Sequence, residues 1–135
     1  ERKTMLNIGY EIQSMLPYEQ AMEEVKIALN NEGFGFPSFI DVRKTIREKL
    51  DKEFKPYAIL GACNPPLTLR ALSSDPAIGL LLPCNITVED DLKGGTIIHI
   101  SNPATLLLSI EVKHNEELRE VAFQAGEKIK KVVVR

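Results

Sequence analysis

Residues 57–66 read Tyr-Ala-Ile-Leu-Gly-Ala-Cys-Asn-Pro-Pro, a transition from an apolar run to a proline-rich turn. Residues 57–62 are almost continuously apolar, which is typical of a strand buried on both faces. Asn64 is a common helix N-cap, and Pro65 and Pro66 fit the first turn of a helix, where a backbone N–H has no partner. The stretch therefore predicts a buried strand that ends beside a cysteine and leads into a short helix.

Two strand–helix pairs are predicted before this stretch. Gly33 fits a left-handed cap after the first helix, and Asp41 fits the N-cap of the second helix. Pro37 indicates an edge position or a bend, because proline cannot donate a ladder hydrogen bond. The predicted segments are a strand over 5–13, a helix from 14–17 to 33, a strand over 34–40 and a helix from 41 that closes by 56.

A hairpin and two helices are predicted after it. An apolar and then alternating pattern predicts a long strand, and Pro83 indicates a bulge within it. Asn102 and Asn115 are the expected N-caps of the two helices. The predicted segments are strands over 79–89 and 96–100 joined by a loop over 90–95, a short helix from 103, and a long helix from 116.

The element order β-α-β-α-β-α-β-β-α-α predicts an α+β fold. We expect a mixed, mostly antiparallel sheet of about five strands with helices packed on one face. The 135 residues fit one domain, and no linker or repeat divides them, so residues 1–135 are interpreted as a single domain.

Composition excludes several classes of function. The net charge is −2, and basic residues alternate with acidic ones, so a nucleic-acid partner is not expected. No apolar run approaches the ~20 residues of a membrane span. Two cysteines do not make a disulfide framework, and we therefore expect reduced thiols and a cytoplasmic location.

The order and spacing of several motifs resemble one family, the "domain of unknown function 302" proteins. The resemblance covers nearly the whole chain and implies a compact α/β domain with an antiparallel sheet, which forms a dimer and has no assigned activity. The motifs that carry it are Gly33-Phe34-Gly35, Ile40-Asp41-Val42, Pro56-Tyr57, Leu60-Gly61-Ala62-Cys63-Asn64-Pro65-Pro66, Ala71-Leu72 and Ile78-Gly79-Leu80-Leu81-Leu82-Pro83-Cys84-Asn85.

Two Cys-Asn dipeptides mark the candidate ligand site. Cys63 precedes a predicted helix start, whose positive end favours thiolate over thiol, and Arg70 could add positive charge one turn further on. Cys84 lies beside the predicted bulge, where side chains are often aimed at sites. The candidate ligand-binding residues are Cys63, Asn64, Arg70, Cys84 and Asn85.

Each of these residues also has a structural interpretation. A free cysteine is often a small buried apolar residue, and asparagine often forms turns by bonding the local backbone. If the two cysteines are neighbours, they could form a dithiol–disulfide couple or bind a soft metal. Zinc is the expected metal, with Cys63, Cys84 and His99 as candidate ligands, although a closed zinc site needs four ligands in all.

Three hypotheses about function remain open. The first is a thiol site for a small ligand or soft metal. The second is a non-catalytic homodimeric binding module in which both cysteines are structural. In this hypothesis the apolar run over 132–134 covers the partner. The third is an enzyme with Cys63 as nucleophile, although the sequence places no histidine base beside it. No nucleotide-cofactor motif is present.

Overall fold

A computed structural model describes residues 1–6, 8–108 and 110–134, without the side chains of 106–108, 110 and 111. The predictions for Asn7 and Ser109 lie outside these residues. The strands are β1 (Arg2–Met5), β2 (Gly9–Ser14), β3 (Gly35–Asp41), β4 (Tyr57–Cys63), β5 (Cys84–Asp90) and β6 (Thr96–Ser101). The helices are α1 (Tyr18–Asn31), α2 (Val42–Leu50), α3 (Pro65–Ser74), α4 (Ile110–Lys113) and α5 (Glu116–Val133), and two 3₁₀ segments cover Pro76–Leu81 and Pro103–Leu108.

The described strands form one antiparallel sheet in the order β1-β2-β6-β5-β4-β3. The α+β class is thus confirmed, with six strands where about five were expected. β3 lies at an edge, and its register with β4 shifts between Gly35 and Ser38, around Pro37. β4 pairs with β5 so that Ala62 lies opposite Cys84. The two cysteine motifs are therefore brought to the same end of adjacent strands.

The main core lies between the sheet and two helices, α1 and α5. Alternate residues of the central strands point to this side, as the two-residue period of a strand requires. Leu60 and Ile86 from the sheet, Leu29 from α1 and Ile129 from α5 are completely buried. Burial of each of these side chains stabilises the fold by roughly 1.5–3 kcal/mol relative to leaving it in water.

The helix ends follow the predicted capping chemistry. Asp41, Asn64 and Asn115 accept hydrogen bonds from the backbone N–H three residues later. Asn102 accepts from the N–H of Ala104 at the start of the second 3₁₀ segment. Each cap satisfies a donor that the first turn of a helix leaves without a partner. Gly33, with a φ of 86°, follows α1 in the predicted left-handed conformation.

Two segments differ from their predictions. The strand predicted over 5–13 is instead two strands, because the chain turns before Gly9 and the Leu6 N–H donates to the Gly9 carbonyl. The long strand predicted over 79–89 begins only at Cys84, and Pro76–Leu81 forms a 3₁₀ segment. The apolar run Leu80–Leu82 has no period that separates a helical turn from a buried strand, so the pattern could not decide between them.

The apolar end of the chain does not form a partner surface. Val132 and Val133 are buried in the main core, and Val134 alone of the three is exposed. The interpretation of residues 132–134 as a patch that covers a partner is therefore wrong, because the last turn of α5 is needed to fill this chain's own core. Among the described helices, none has the length and apolar character that crossing a membrane requires.

Candidate functional site

A cavity of about 410 Å³ opens between the sheet and the helices, where β4 ends and β5 begins. Cys63, Asn64 and Cys84 all line it, so three of the predicted ligand-site residues meet there. Most of the lining is apolar. Apolar lining side chains also come from α3, from the first 3₁₀ segment and the residue after it, from α4 and from α5: Leu67, Ala71, Leu72, Ile78, Leu82, Val112, Leu118, Val121, Ala122 and Ala125.

Small residues keep this cavity open. Ala122 and Ala125 are buried on α5, and Ala71 faces them from α3. Protein interiors are close-packed, and a void of this size loses the contacts that larger side chains would make. The helices therefore enclose a space that their own side chains do not fill.

Cys63 contacts a hydroxyl at the cavity wall. Its Sγ lies 3.1 Å from Oγ1 of Thr68, which also lines the cavity. Thr68 comes one turn after Asn64, so the geometry of α3 places its hydroxyl back toward the end of β4. Thr68 was not among the predicted site residues, since a threonine in the first turn of a helix is common and carries no distinguishing signal.

The start of α3 offers few backbone donors to a ligand. Pro65 and Pro66 have no N–H, and the Leu67 N–H donates to Oδ1 of Asn64 at 3.2 Å. The N–H of Thr68 donates to the Asn64 carbonyl. The helix start therefore acts on Cys63 through its dipole alone, without hydrogen bonds of the kind that stabilise an oxyanion.

Asn64 is the predicted cap of α3 and also lies at the cavity wall. It is 7% exposed, lines the cavity and caps α3, and its Nδ2 donates to the Glu32 carbonyl at 3.4 Å. Those bonds tie the end of β4 to the segment that follows α1. Asn64 therefore fixes the position of the cavity wall.

Cys84, like Cys63, is half-buried. Burial raises the pKa of the Cys84 thiol, and the nearby Cys63 raises it further, against the opposing effect of a hydrogen bond with Ser101. Both cysteines are free. Since Cys84 lies opposite Ala62, the neighbour of Cys63, the two cysteines are not a directly facing pair.

We expect Cys84 to react slowly with an aromatic disulfide at pH 7, because the thiolate is the nucleophile and the raised pKa keeps the group as thiol. The rate should be followed against pH in Cys63→Ser, where Cys84 is the sole thiol. The midpoint of the native profile should lie above that of the same variant in urea; coincident midpoints would contradict it. The pKa of Cys84 is higher in the folded protein than in the unfolded chain, where a cysteine has its ordinary value of 9.0. The unfolding free energy is therefore unaffected by this group below about pH 9. It falls above about pH 9, because the unfolded chain ionises more readily there.

Arg70 and Asn85 lie outside the cavity lining. Nη2 of Arg70 is 2.5 Å from Oε1 of Glu117, and its Nη1 donates to Gln124 at 3.2 Å. Arg70 therefore joins α3 to α5 on the outer surface and adds no charge to the site. Asn85 is exposed, and the alternation of β5 turns its side chain away from the face that carries Cys84.

The three residues predicted as metal ligands are not brought together. His99 lies on the sheet face opposite the core, where Nε2 is 2.9 Å from Oε1 of Glu11 and Nδ1 is 3.2 Å from Oγ1 of Thr87. The hydrogen bond with His99 lowers the pKa of the Glu11 carboxyl. Over the described part of the chain, no group of three or more histidine, cysteine or acidic side chains could hold a metal ion.

The comparisons with known proteins concern nearly the whole chain. A solved structure, the crystal structure of an uncharacterized conserved protein DUF302 from Bacillus stearothermophilus, matches with a TM-score of 0.80 and 24% identity, over 95% of this chain and 97% of that one. This likeness shows the fold. No curated protein matches the chain. The model of the family described as domain of unknown function DUF302 matches residues 10–135, and the chain therefore belongs to that family.

Proposed function

We propose that this domain binds a small, largely apolar molecule in the cavity beside Cys63 and Cys84. The observation that carries the proposal is the cavity itself, about 410 Å³ with a predominantly apolar lining. Ligand sites in proteins are usually concave and apolar, with a few polar groups that fix orientation, and volumes of roughly 300–1,000 Å³ are usual for them. The two cysteine motifs supply one wall of this site.

Binding is favoured over catalysis by the polar groups present. A nucleophilic cysteine needs a base or a donor set that stabilises the developing charge. His99 lies on the other face of the sheet, and the first N–H groups of α3 are absent or already bonded. Free thiols persist in a reducing compartment, which supports the cytoplasmic location inferred from the sequence.

Filling the cavity should abolish binding without unfolding the protein. Ala125→Leu and Ala71→Leu add side-chain volume from opposite helices, and Ala77→Leu makes the same change at an exposed position outside the lining. The probe is N-phenyl-1-naphthylamine, an uncharged dye whose fluorescence rises in apolar surroundings. We expect both cavity variants to bind at least about tenfold more weakly than wild type, a loss of about 1.4 kcal/mol.

The melting temperature of each variant serves as the control for folding. Added methyl groups that occupy empty space should leave it unchanged or raise it. Dye affinity that is unchanged in both folded cavity variants, or reduced equally in Ala77→Leu, would overturn the proposal.

A second candidate function is a homodimeric binding module in which both cysteines are structural. The observation that favours it is an apolar surface on α3 and the adjoining 3₁₀ segment, where Leu69 is 68% and Leu80 is 89% exposed. Such surfaces often mark protein contacts. Sedimentation equilibrium decides the matter: a dimeric wild type with a monomeric Leu80→Asp variant supports this candidate, and a monomeric wild type removes it.

A further inference from the structure

The contact between Cys63 and Thr68 leaves one proton without a partner among the described groups. A hydroxyl and a thiol each carry one donor proton. One of these protons serves the 3.1 Å contact, whichever atom donates it. The other proton remains at the cavity wall in either arrangement. The pair therefore presents a single donor to whatever occupies the cavity.

The other polar side chains of the lining are Asn64, Cys84 and Ser38. Asn64 bonds the Leu67 N–H through its oxygen and the Glu32 carbonyl through its nitrogen, and Ser38 is exposed. The Cys63–Thr68 contact joins two side chains of the lining directly, so its remaining proton lies at the wall and is available to an occupant.

No charged side chain lines the cavity within the part of the chain that the structure describes. The nearby cation on α3, Arg70, is held on the outer surface by Glu117 and Gln124. An ionised ligand would lose its hydration and gain no opposite charge in return, which costs several kcal/mol in an apolar site. The site therefore selects against carboxylates, phosphates and ammonium groups.

We infer that the ligand is an uncharged molecule that carries one hydroxyl or carbonyl oxygen on an apolar body. That oxygen accepts the free proton of the Cys63–Thr68 pair, and the apolar body fills the space toward α5. At roughly 30 Å³ for each water-sized group, a cavity of about 410 Å³ that is open to solvent takes a ligand of about 14 non-hydrogen atoms or slightly more. The inference rests on the proposed function and specifies the chemical class of its ligand.

The charge requirement is tested by displacement of N-phenyl-1-naphthylamine with 1-octanol and octanoic acid at pH 5.5 and 7.5. A carboxylic acid with a pKa of about 4.3 is mostly ionised at both pH values, and its neutral fraction falls about 100-fold from pH 5.5 to pH 7.5. We expect the apparent affinity of octanoic acid to fall about 100-fold, while that of 1-octanol stays constant. Equal affinity of octanoic acid at the two pH values would overturn the inference.

The donor is tested with two variants. Cys63→Ala keeps one donor, the Thr68 hydroxyl, and serves as the reference for the double variant. Cys63→Ala/Thr68→Val removes both protons and should bind 1-octanol about five- to tenfold more weakly than Cys63→Ala, the worth of one hydrogen bond. Butylbenzene, which has no oxygen, should bind both variants equally. Thr4→Val on β1, outside the cavity lining, is the control for a lost threonine hydroxyl.

The outcomes separate the two proposals. If neither 1-octanol nor butylbenzene displaces the dye, the cavity is not a ligand site and both proposals fall. If butylbenzene binds but the double variant binds 1-octanol as well as Cys63→Ala does, the cavity is a ligand site and the assignment of the polar anchor is overturned.

Discussion

Gly9→Ala should destabilise the protein by about 3 kcal/mol, which lowers the melting temperature by about 10 °C for a chain of this length. A Cβ at Gly9 would lie 2.3 Å from the carbonyl oxygen of Ile100 and 3.1 Å from Cα of Ser101. Both atoms belong to the backbone of β6, which pairs with β2 at this position. The backbone cannot rotate away as a side chain could, so the β2–β6 ladder must open or shift.

The matched control is Gly35→Ala. Gly35 also lies in a strand, and a Cβ there would meet no atom within 4 Å. It should change stability by well under 1 kcal/mol, since the entropy lost by the unfolded chain is its main effect. Both values come from urea unfolding followed by circular dichroism. Similar unfolding free energies for the two variants would show that the close approach of β2 and β6 contributes nothing.

The sequence was most informative where a local rule acts alone. The caps at Asp41, Asn64, Asn102 and Asn115 and the left-handed Gly33 depend on a few neighbouring atoms, and all five are found as predicted. Pro37 likewise marked an edge strand, because the missing N–H is tolerated there. Such rules need no knowledge of what packs against the segment.

The turn before Gly9 shows why the first hairpin was not predicted. Leu6, Ile8, Tyr10 and Ile12 alternate without interruption, and a period of two gives no sign that the chain reverses. Gly9 allows β2 to approach β6 closely, a contact between residues 91 positions apart that a local pattern does not contain. Likewise, the pattern gave no reason to separate Leu80–Leu82 from the strand that follows.

The cavity was only half predictable for the same reason. The cysteine motifs indicated that Cys63 and Cys84 would meet if their strands were neighbours, and β4 and β5 are neighbours. Nothing local distinguishes Ala71, Ala122 and Ala125 from ordinary core alanines, since an empty space exists only when several elements fail to fill it together. Arg70 was placed by its ion pair with Glu117, which is 47 residues away.

Gly61→Ala should affect the cavity itself, because Gly61 supports the wall formed by β3 and the start of β5. A Cβ there would lie 2.1 Å from Oγ of Ser38 and 2.7 Å from Cγ of Pro83. The serine side chain can rotate, but the ring of Pro83 is closed on its own backbone nitrogen and has little freedom to turn away. Pro83 must therefore move, and Cys84 with it. We expect a loss of about 2 kcal/mol in unfolding free energy.

The double variant Gly61→Ala/Ser38→Ala separates the two contacts. It removes the Ser38 hydroxyl and keeps the contact with Pro83, so its stability should stay close to that of Gly61→Ala. Dye affinity should fall severalfold in both, because a ligand in a close-packed site responds to small shifts of its wall. If the double variant has wild-type stability and dye affinity, the strain in Gly61→Ala comes from Ser38 alone. The position of Cys84 would then not depend on Gly61.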